Sequence, residues 1–382
     1  MAQHGMEAHS HGAGAPIQIR HARPKSTSVE DFEKPTKFEE VWKYFPVDKL
    51  SGLDEAVYAE LDEAHFELYL KQGAKAEYVD STDPAVGSAG TPEDRVSAAA
   101  WTNASKTMKV TVSGESDEPH FIRITADSEP RAAHLVVIAE PNSQATVVLD
   151  HQGHAKLAEN VEIIVGQGAN LSLITIQDWD AKSVHVSNHF AKLEKDSTLK
   201  HFVVSMQGEV IRVVPQADLS APGSNVEMFG VYLADSHQYI EHRPFVDHNA
   251  ASCRSRVTYK GALQGEGAHT VWIGDVLIRE AGVGTDTYEL NRNLLLTDGA
   301  RADSVPNLEI ETGKIEGAGH ASASGRFDDE QLFYLQSRGL DEQTARKLVV
   351  RGFLNEVIQK IGVQDIQDRL TAAIEADLER VV

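Results

Sequence analysis

One histidine stands apart in this sequence. His320 lies in Gly317-Ala318-Gly319-His320-Ala321-Ser322-Ala323-Ser324-Gly325, where its neighbours are too small to cover it. A neutral imidazole left accessible in this way can ligate iron or zinc. One histidine alone makes a weak site, so further ligands would have to come from another chain; the plainer reading is a surface or turn histidine. A second segment with chemical potential is His248-Asn249-Ala250-Ala251-Ser252-Cys253-Arg254-Ser255-Arg256. Arg254 and Arg256 could lower the Cys253 thiol pKa, although free cysteines are commonly buried and inert. Asp247 and His248, with His242 upstream, offer the residue types of a Cys-His-Asp hydrolase triad, but closeness in sequence does not build one.

Other chemistries lack their residues. There is no nucleophile elbow, Walker A loop, dinucleotide fingerprint or His-Glu-x-x-His motif. Gly265-Glu266-Gly267 and Gly282-Val283-Gly284 read as turn glycines, because no Gly-Lys-Ser/Thr follows them. The chain is therefore expected to carry no ATP site. A formal charge of −22 opposes nucleic acid or an anionic membrane as the main partner. The single cysteine, Cys253, rules out an intramolecular disulfide and a zinc cage of several cysteines. No window of about 20 apolar residues suggests a membrane span. The N-terminus has no basic and apolar signal-peptide regions, so a cytoplasmic location is expected.

The elements that must position these residues fall into four zones. Residues 1–28, with His4, His9, His11 and His21 among Gly, Ala and Ser, read as a disordered tail. Residues 29–100 read as mixed and partly helical. Phe38, Val41, Trp42 and Phe45 recur at helical spacing before Pro46, and Asp54 to Lys71 is a second, acidic stretch. Ser81 to Asp94 reads as a loop or linker.

Residues 101–325 read as short strands, among them Lys109–Val112, His134–Ile138, Ala145–Leu149, Val161–Val165, Leu171–Ile176, Leu199–Val204, Val226–Leu233 and Val271–Ile278. Small pairs at Gln144-Ala145, Gly168-Ala169, Asp196-Ser197, Gly223-Ser224, Gly267-Ala268 and Gly299-Ala300 mark turns, the first gaps being about 24 to 44 residues. The loose repeat favours a right-handed parallel β-helix over a β-sandwich or a six-residue left-handed helix. The fold class expected is mainly β, with an N-terminal mixed region and a C-terminal helical domain.

Residues 326–382 form that helical domain. Asp328 or Asp329 caps a helix that Gly339 ends, and Asp341 caps the next, with Ala345, Leu348, Val349, Gly352, Phe353, Val357 and Ile361 as its apolar stripe. A last helix uses Ile366, Leu370, Ile374 and Leu378. Helices this amphipathic either cap the β-stack or receive a partner.

Three segments together resemble one family. They are Asp328–Leu340 with Ala345-Arg346 and Gly352-Phe353, His248–Gly261, and Pro306–Ile310; Glu39–Pro46 adds a fourth likeness near the N-terminus. The chain is identified as a member of the SufB/SufD family of iron–sulfur cluster assembly scaffolds, and looks like its SufD branch. SufB is typically longer, with more cysteines, whereas His320 falls where SufD carries a functional histidine. Many SufD chains read Cys-x-His there, and this chain has Ala318.

The resemblance implies a non-enzymatic subunit that pairs with SufB through the β-helix. It implies docking of the SufC ATPase on the C-terminal helices, for which Phe333, Tyr334, Arg338, Gly339 and Phe353 are the candidate contacts. It further implies a transient iron–sulfur cluster at the SufB interface with His320 as this chain's metal ligand, sulfur delivery through SufB, and an association of reduced flavin with the complex. The competing readings are a β-helix carbohydrate-active enzyme, which would need clustered carboxylates in a groove, and a purely structural SufB partner that binds no iron.

Overall fold

The structure is a computed structural model and describes residues 23–326 and 329–379. Strands β1 (Ala59–Glu60), β2 (Phe66–Tyr69) and β3 (Ala74–Val79) precede helix α1 (Arg95–Asn103). A long series of strands follows: β4 (Thr107–Val112), β5 (His120–Ile124), β6 (Pro130–Ala139), β7 (Gln144–Gly153), β8 (Lys156–Val165), β9 (Asn170–Trp179), β10 (Val184–Leu193), β11 (Thr198–Gln207), β12 (Val210–Leu219) and β13 (Asn225–Ala234). It continues through β14 (Tyr239–His242), β15 (Phe245–His248), β16 (Arg254–Leu263), β17 (His269–Ile278), β18 (Asp286–Leu295), β19 (Arg301–Ile310) and β20 (Gly317–Arg326). Helices α2 (Asp329–Ser337), α3 (Glu342–Ile358) and α4 (Gln364–Glu379) close the chain.

From β4 onward the strands form a β-solenoid of about eight turns. Each coil gives one strand to each of two parallel sheets. The first sheet runs β4, β6, β8, β10, β12, the β14/β15 pair, β17 and β19; the second runs β5, β7, β9, β11, β13, β16, β18 and β20. Register partners Gln144, Asn170, Thr198, Asn225, Arg254, Asp286 and Gly317 stack coil upon coil. All eight strands expected from the sequence are strands, each lying inside a longer one.

The turn residues explain the loose repeat. Gly114, Asn142, Gly168, Asp196, Gly223, Ser252 and Gly284 all adopt positive φ at the corner leading from the first sheet to the second. Glycine takes that conformation freely, and Asn and Asp tolerate it. Gly267 and Gly299 also have positive φ, but stand at the opposite corner. The long gap between Gly223 and Gly267 is therefore a change of corner, not a longer coil.

Three apolar layers hold the solenoid. Inward residues such as Val110, Leu135, Val161, Leu193 and Val226 fill its axis. Trp42, Phe45, Leu50, Val96 and Ala100 cover the outer face of the first sheet, meeting Ala158, Val186 and Val210. The C-terminal helices cover the second sheet through Val350, Leu354, Val357, Ile366, Leu370 and Ile374, meeting Ile174, Phe202, Val204 and Val231. Lys260 reaches the Phe353 carbonyl at 3.1 Å, and Arg369 holds Asp150 and Asp178 at 2.8 and 2.7 Å.

Several expectations change. The helices lie along the flank of the solenoid rather than over its end. The buried stripe of α3 is Ala345, Val350, Leu354, Val357 and Ile358, while Leu348 is 49 % exposed and Gly352 faces solvent. Asp341 caps α3 as expected, accepting from the Thr344 N–H at 2.9 Å, and Gly339 has φ +92°. Asp328 lies outside the described residues, and α2 begins at Asp329.

Residues 37–45 form no α-helix. Three successive turns link Glu39 to Thr36, Trp42 to Glu39 and Phe45 to Trp42, which mimics helical spacing and buries Trp42 and Phe45 while Phe38 stays outside. Residues 81–94 hold neither helix nor strand, as expected. Of the N-terminal tail, residues 1–22 lie outside the described residues. Ser26 donates its N–H to the Pro92 carbonyl, and Lys25 pairs with Glu93 at 3.2 Å.

The two ends of the solenoid differ. Antiparallel β3 on β4 and antiparallel β2 on β5 close the N-terminal end. At the other end, β19 pairs only with β17 and β20 only with β18 among the described residues. Two ten-residue strand edges are left open there.

Candidate functional site

His320 sits in this last coil. The glycine-rich segment around His320 is strand β20 rather than a turn, and His320 is exposed on it. Its register partner in β18 is Glu289; Ser322 pairs with Asn291 and Ser324 with Asn293. Across the axis, Ser304 of β19 stands beside Trp272 of β17, and Pro306 beside Gly274. Paired residues in neighbouring strands share a face at about 4.8 Å separation. In the second sheet the inward row of the last two coils is thus polar throughout its middle: Glu289, Asn291 and Asn293 on β18, and His320, Ser322 and Ser324 on β20.

That polar end is cross-linked. Ser322 Oγ donates to Ser304 Oγ at 2.6 Å, and Ser304 Oγ to Asn291 Oδ1 at 2.7 Å. Asn291 Nδ2 donates to Tyr232 Oη at 2.9 Å, whose hydroxyl donates to Asn293 Oδ1 at 2.6 Å. Asn293 Nδ2 reaches Ser324 Oγ at 3.2 Å. Side chains from β13, β18, β19 and β20 are locked together by these bonds, which fixes the strand that carries His320.

Glu289 is the exception. It is 1 % exposed, and among the described residues neither carboxylate oxygen has a hydrogen-bond partner. Burial, and to a smaller degree the Asp275 carboxylate, push its pKa well above the usual range. A Cβ on Gly274 would stand 2.9 Å from Glu289 Oε1, so the carboxyl group crosses the axis to the opposite sheet, where only glycine leaves it room. Tyr259 Oη on β16 and Trp272 Nε1 on β17, also buried, are likewise without hydrogen-bond partners among the described residues.

The Cys253 segment builds no triad. Cys253 is buried and its Sγ lies 3.2 Å from Ser224 Oγ. His248 Nε2 bonds Ser255 Oγ at 2.9 Å, and burial pushes the imidazole down to about 4. Asp247 is engaged by Arg279 through two 2.7 Å bonds. Arg254 and Arg256 both turn to Asp286. His242 lies inside the solenoid, bonded to Ser205 Oγ at 2.9 Å.

A second cluster lies deeper. His151, Glu159 and His185 place one ligand atom each within 4.8 Å of one another, all buried. The hydrogen bonds argue against a metal between them. Trp179 Nε1–H donates to His185 Nδ1 at 3.1 Å, so the His185 proton sits on Nε2, 3.4 Å from Glu159. His151 Nδ1 donates to the Ile176 carbonyl, and its Nε2 meets Glu159 Oε1 at 3.2 Å. The arrangement is a buried imidazolium–carboxylate pair: it raises His151 despite desolvation and holds Glu159 well below its usual value. Ser187 Oγ, His189 and His201 extend it by bonds of 2.9, 2.8 and 3.0 Å.

The candidate docking residues divide. On α2, Phe333 is 73 % and Tyr334 57 % exposed, with the Arg338 guanidinium 5.3 Å from the Tyr334 ring centre. Gly339 ends that helix. Phe353 faces the other way, half-buried against the second sheet beneath the Lys260 ammonium, 4.7 Å from its ring centre. Phe353 thus holds α3 in place, whereas Phe333, Tyr334 and Leu348 remain free apolar surface.

Comparison with known proteins gives one family. The family described as "SUF system FeS cluster assembly, SufBD core domain" matches residues 122–353. An iron–sulfur cluster assembly SufBD family protein of Mycobacterium tuberculosis is 47% identical over 364 residues, covering 93% of this chain and 92% of its own length. A SufBD family protein of Mycobacterium leprae is 46% identical over 363 residues, covering 92% of this chain and 93% of its own. The iron–sulfur cluster assembly protein SufD of Escherichia coli is 26% identical over 263 residues, covering 67% of this chain and 61% of its own.

Proposed function

The chain belongs to the SufBD family of the SUF iron–sulfur cluster assembly system, and on that footing we propose that it is a SufD-type scaffold subunit whose open solenoid end binds SufB. The observation that carries this reading is the contrast between the ends. One is closed by antiparallel strands, and the other offers two parallel edges with His320 exposed on one of them. Unpaired edges are templates for another chain's strands. The small residues around His320 let a second backbone approach closely.

At such a joint, His320 is one of several ligands to iron or a nascent cluster, with thiolate or carboxylate groups coming from SufB. Imidazole is a suitable iron ligand, and a mixed shared ligand set favours release to an acceptor over permanent retention. The cluster is cargo rather than a resident cofactor. The exposed aromatics of α2 and Leu348 of α3, free apolar surface on consecutive helices, form the surface for the SufC ATPase. Sulfur arrives through SufB. In this reading the chain holds and positions its cargo and performs no catalysis itself. No helix among the described residues is long and apolar enough to cross a membrane.

Reconstitution tests the reading. The complex with SufB and SufC should assemble a cluster under anaerobic conditions, and His320→Ala should lower its yield at least tenfold while leaving the complex intact. An unchanged yield with intact complex would make the chain a structural partner that holds no iron.

A further inference from the structure

We propose that Glu289 is a second iron ligand of this chain, acting with His320 on one ferrous ion at the open end. The inference rests on the reading of that end given above and adds a hard oxygen donor to it. Three features support it. Glu289 and His320 are register partners, so their side chains leave adjacent strands on one face. The Glu289 carboxyl group is fully buried yet without a hydrogen-bond partner among the described residues, although serine and asparagine side chains around it bond to one another. It also lies one coil from the end, directly behind His320, whose neighbours on that face of β20, Ala318 and Ser322, are small.

Unpaired buried carboxyl groups cost stability, so a fold that keeps one in place points to a ligand missing from the site. Imidazole and carboxylate together suit ferrous iron. The pair leaves further positions for ligands across the joint. Inside the solenoid, the His151–Glu159 pair shows the contrasting case, a buried carboxylate fully satisfied by its neighbours.

The test uses the full chain, ferrous iron under anaerobic conditions, and the variants Glu289→Gln and His320→Ala. Thermal unfolding is read with and without iron, and bound iron is measured by equilibrium dialysis. Iron should raise the wild-type midpoint, and each variant should weaken binding at least tenfold. Without iron, Glu289→Gln should melt at or above the wild-type temperature, because it removes an unpaired acid. If His320→Ala loses iron and Glu289→Gln keeps it, this inference fails and the reading of His320 stands. If both keep it, both fail. If only Glu289→Gln loses it, the shared site is overturned. A Glu289→Gln chain that melts lower than wild type without iron would mark the carboxyl as a structural group and also overturn the inference.

Discussion

Replacing His242 with glutamine should change the way stability responds to acid. His242 is buried inside the solenoid, bonded to Ser205 and flanked edge-on by Tyr232 and Tyr259 with ring centres 5.1 and 5.5 Å away. Burial pushes its pKa down to about 3. An unfolded chain binds a proton near pH 6.5 that the folded chain refuses. The histidine's contribution is therefore complete above that pH and is lost as pH falls toward 3. Between pH 7 and pH 5 the loss amounts to about 2 kcal/mol for this one group.

His242→Gln should cost about 1 kcal/mol at pH 7 through weaker packing and hydrogen bonding. The gap to wild type should then shrink by about 2 kcal/mol at pH 5, leaving the variant the more stable protein. Urea unfolding at pH 7, 6 and 5 reads this directly. The difference is the proper readout because other groups titrate as well. His201, at about 3, and His248, at about 4, act in the same direction, whereas His151 and Glu289, both raised, oppose them. Parallel stability curves for the two proteins would refute the claim that His242 is held neutral by burial.

Further outcomes follow from the helical flank and the cysteine. Leu354→Ala removes a fully buried side chain between α3 and the second sheet and should lower stability by about 2 to 5 kcal/mol in urea unfolding. Lys260→Met should free α3 from its Phe353 and Glu356 anchors, seen as faster proteolysis of the C-terminal helices with the solenoid intact. Phe333→Asp should change stability by less than about 0.5 kcal/mol, because the side chain is exposed, yet reduce recovery of SufC in pull-downs with this chain. Cys253 should react with thiol reagents only after unfolding, being buried against Ser224.

The strands were legible where one face was apolar and the other polar, as in Lys109–Val112. Their full length was not, because both faces of most strands are covered. In β10 the sequence Val-His-Val-Ser-Asn-His-Phe puts histidine and serine on the inward face, where bonds to Glu159 and His201 satisfy them, so the polar letters concealed a core strand. In β19, Pro306 breaks the strand pattern, yet it sits at the open edge beside Gly274. The family resemblance singled out His320, while its small neighbours suggested a turn where the chain forms a strand.

Glu289 was missed altogether. Its signal was the coil spacing that stacks it on His320, together with the polar inward row Glu289, Asn291 and Asn293. Neither is visible until the register is known. On α3, simple spacing favoured Leu348 and Gly352 over Val350 and Leu354. The choice between two neighbouring stripes depends on the sheet they meet, which the helix sequence does not encode.

The open end is the proposed joint with a second scaffold subunit, and amide hydrogen exchange tests that most directly. In the isolated chain, amides of β19 and β20 should exchange rapidly compared with β9 and β11, which are paired on both sides. In the complex with SufB, the same amides, His320 included, should become protected while β2 and β3 remain unchanged. Protection appearing at the antiparallel end, with β19 and β20 still exchanging freely, would contradict the account.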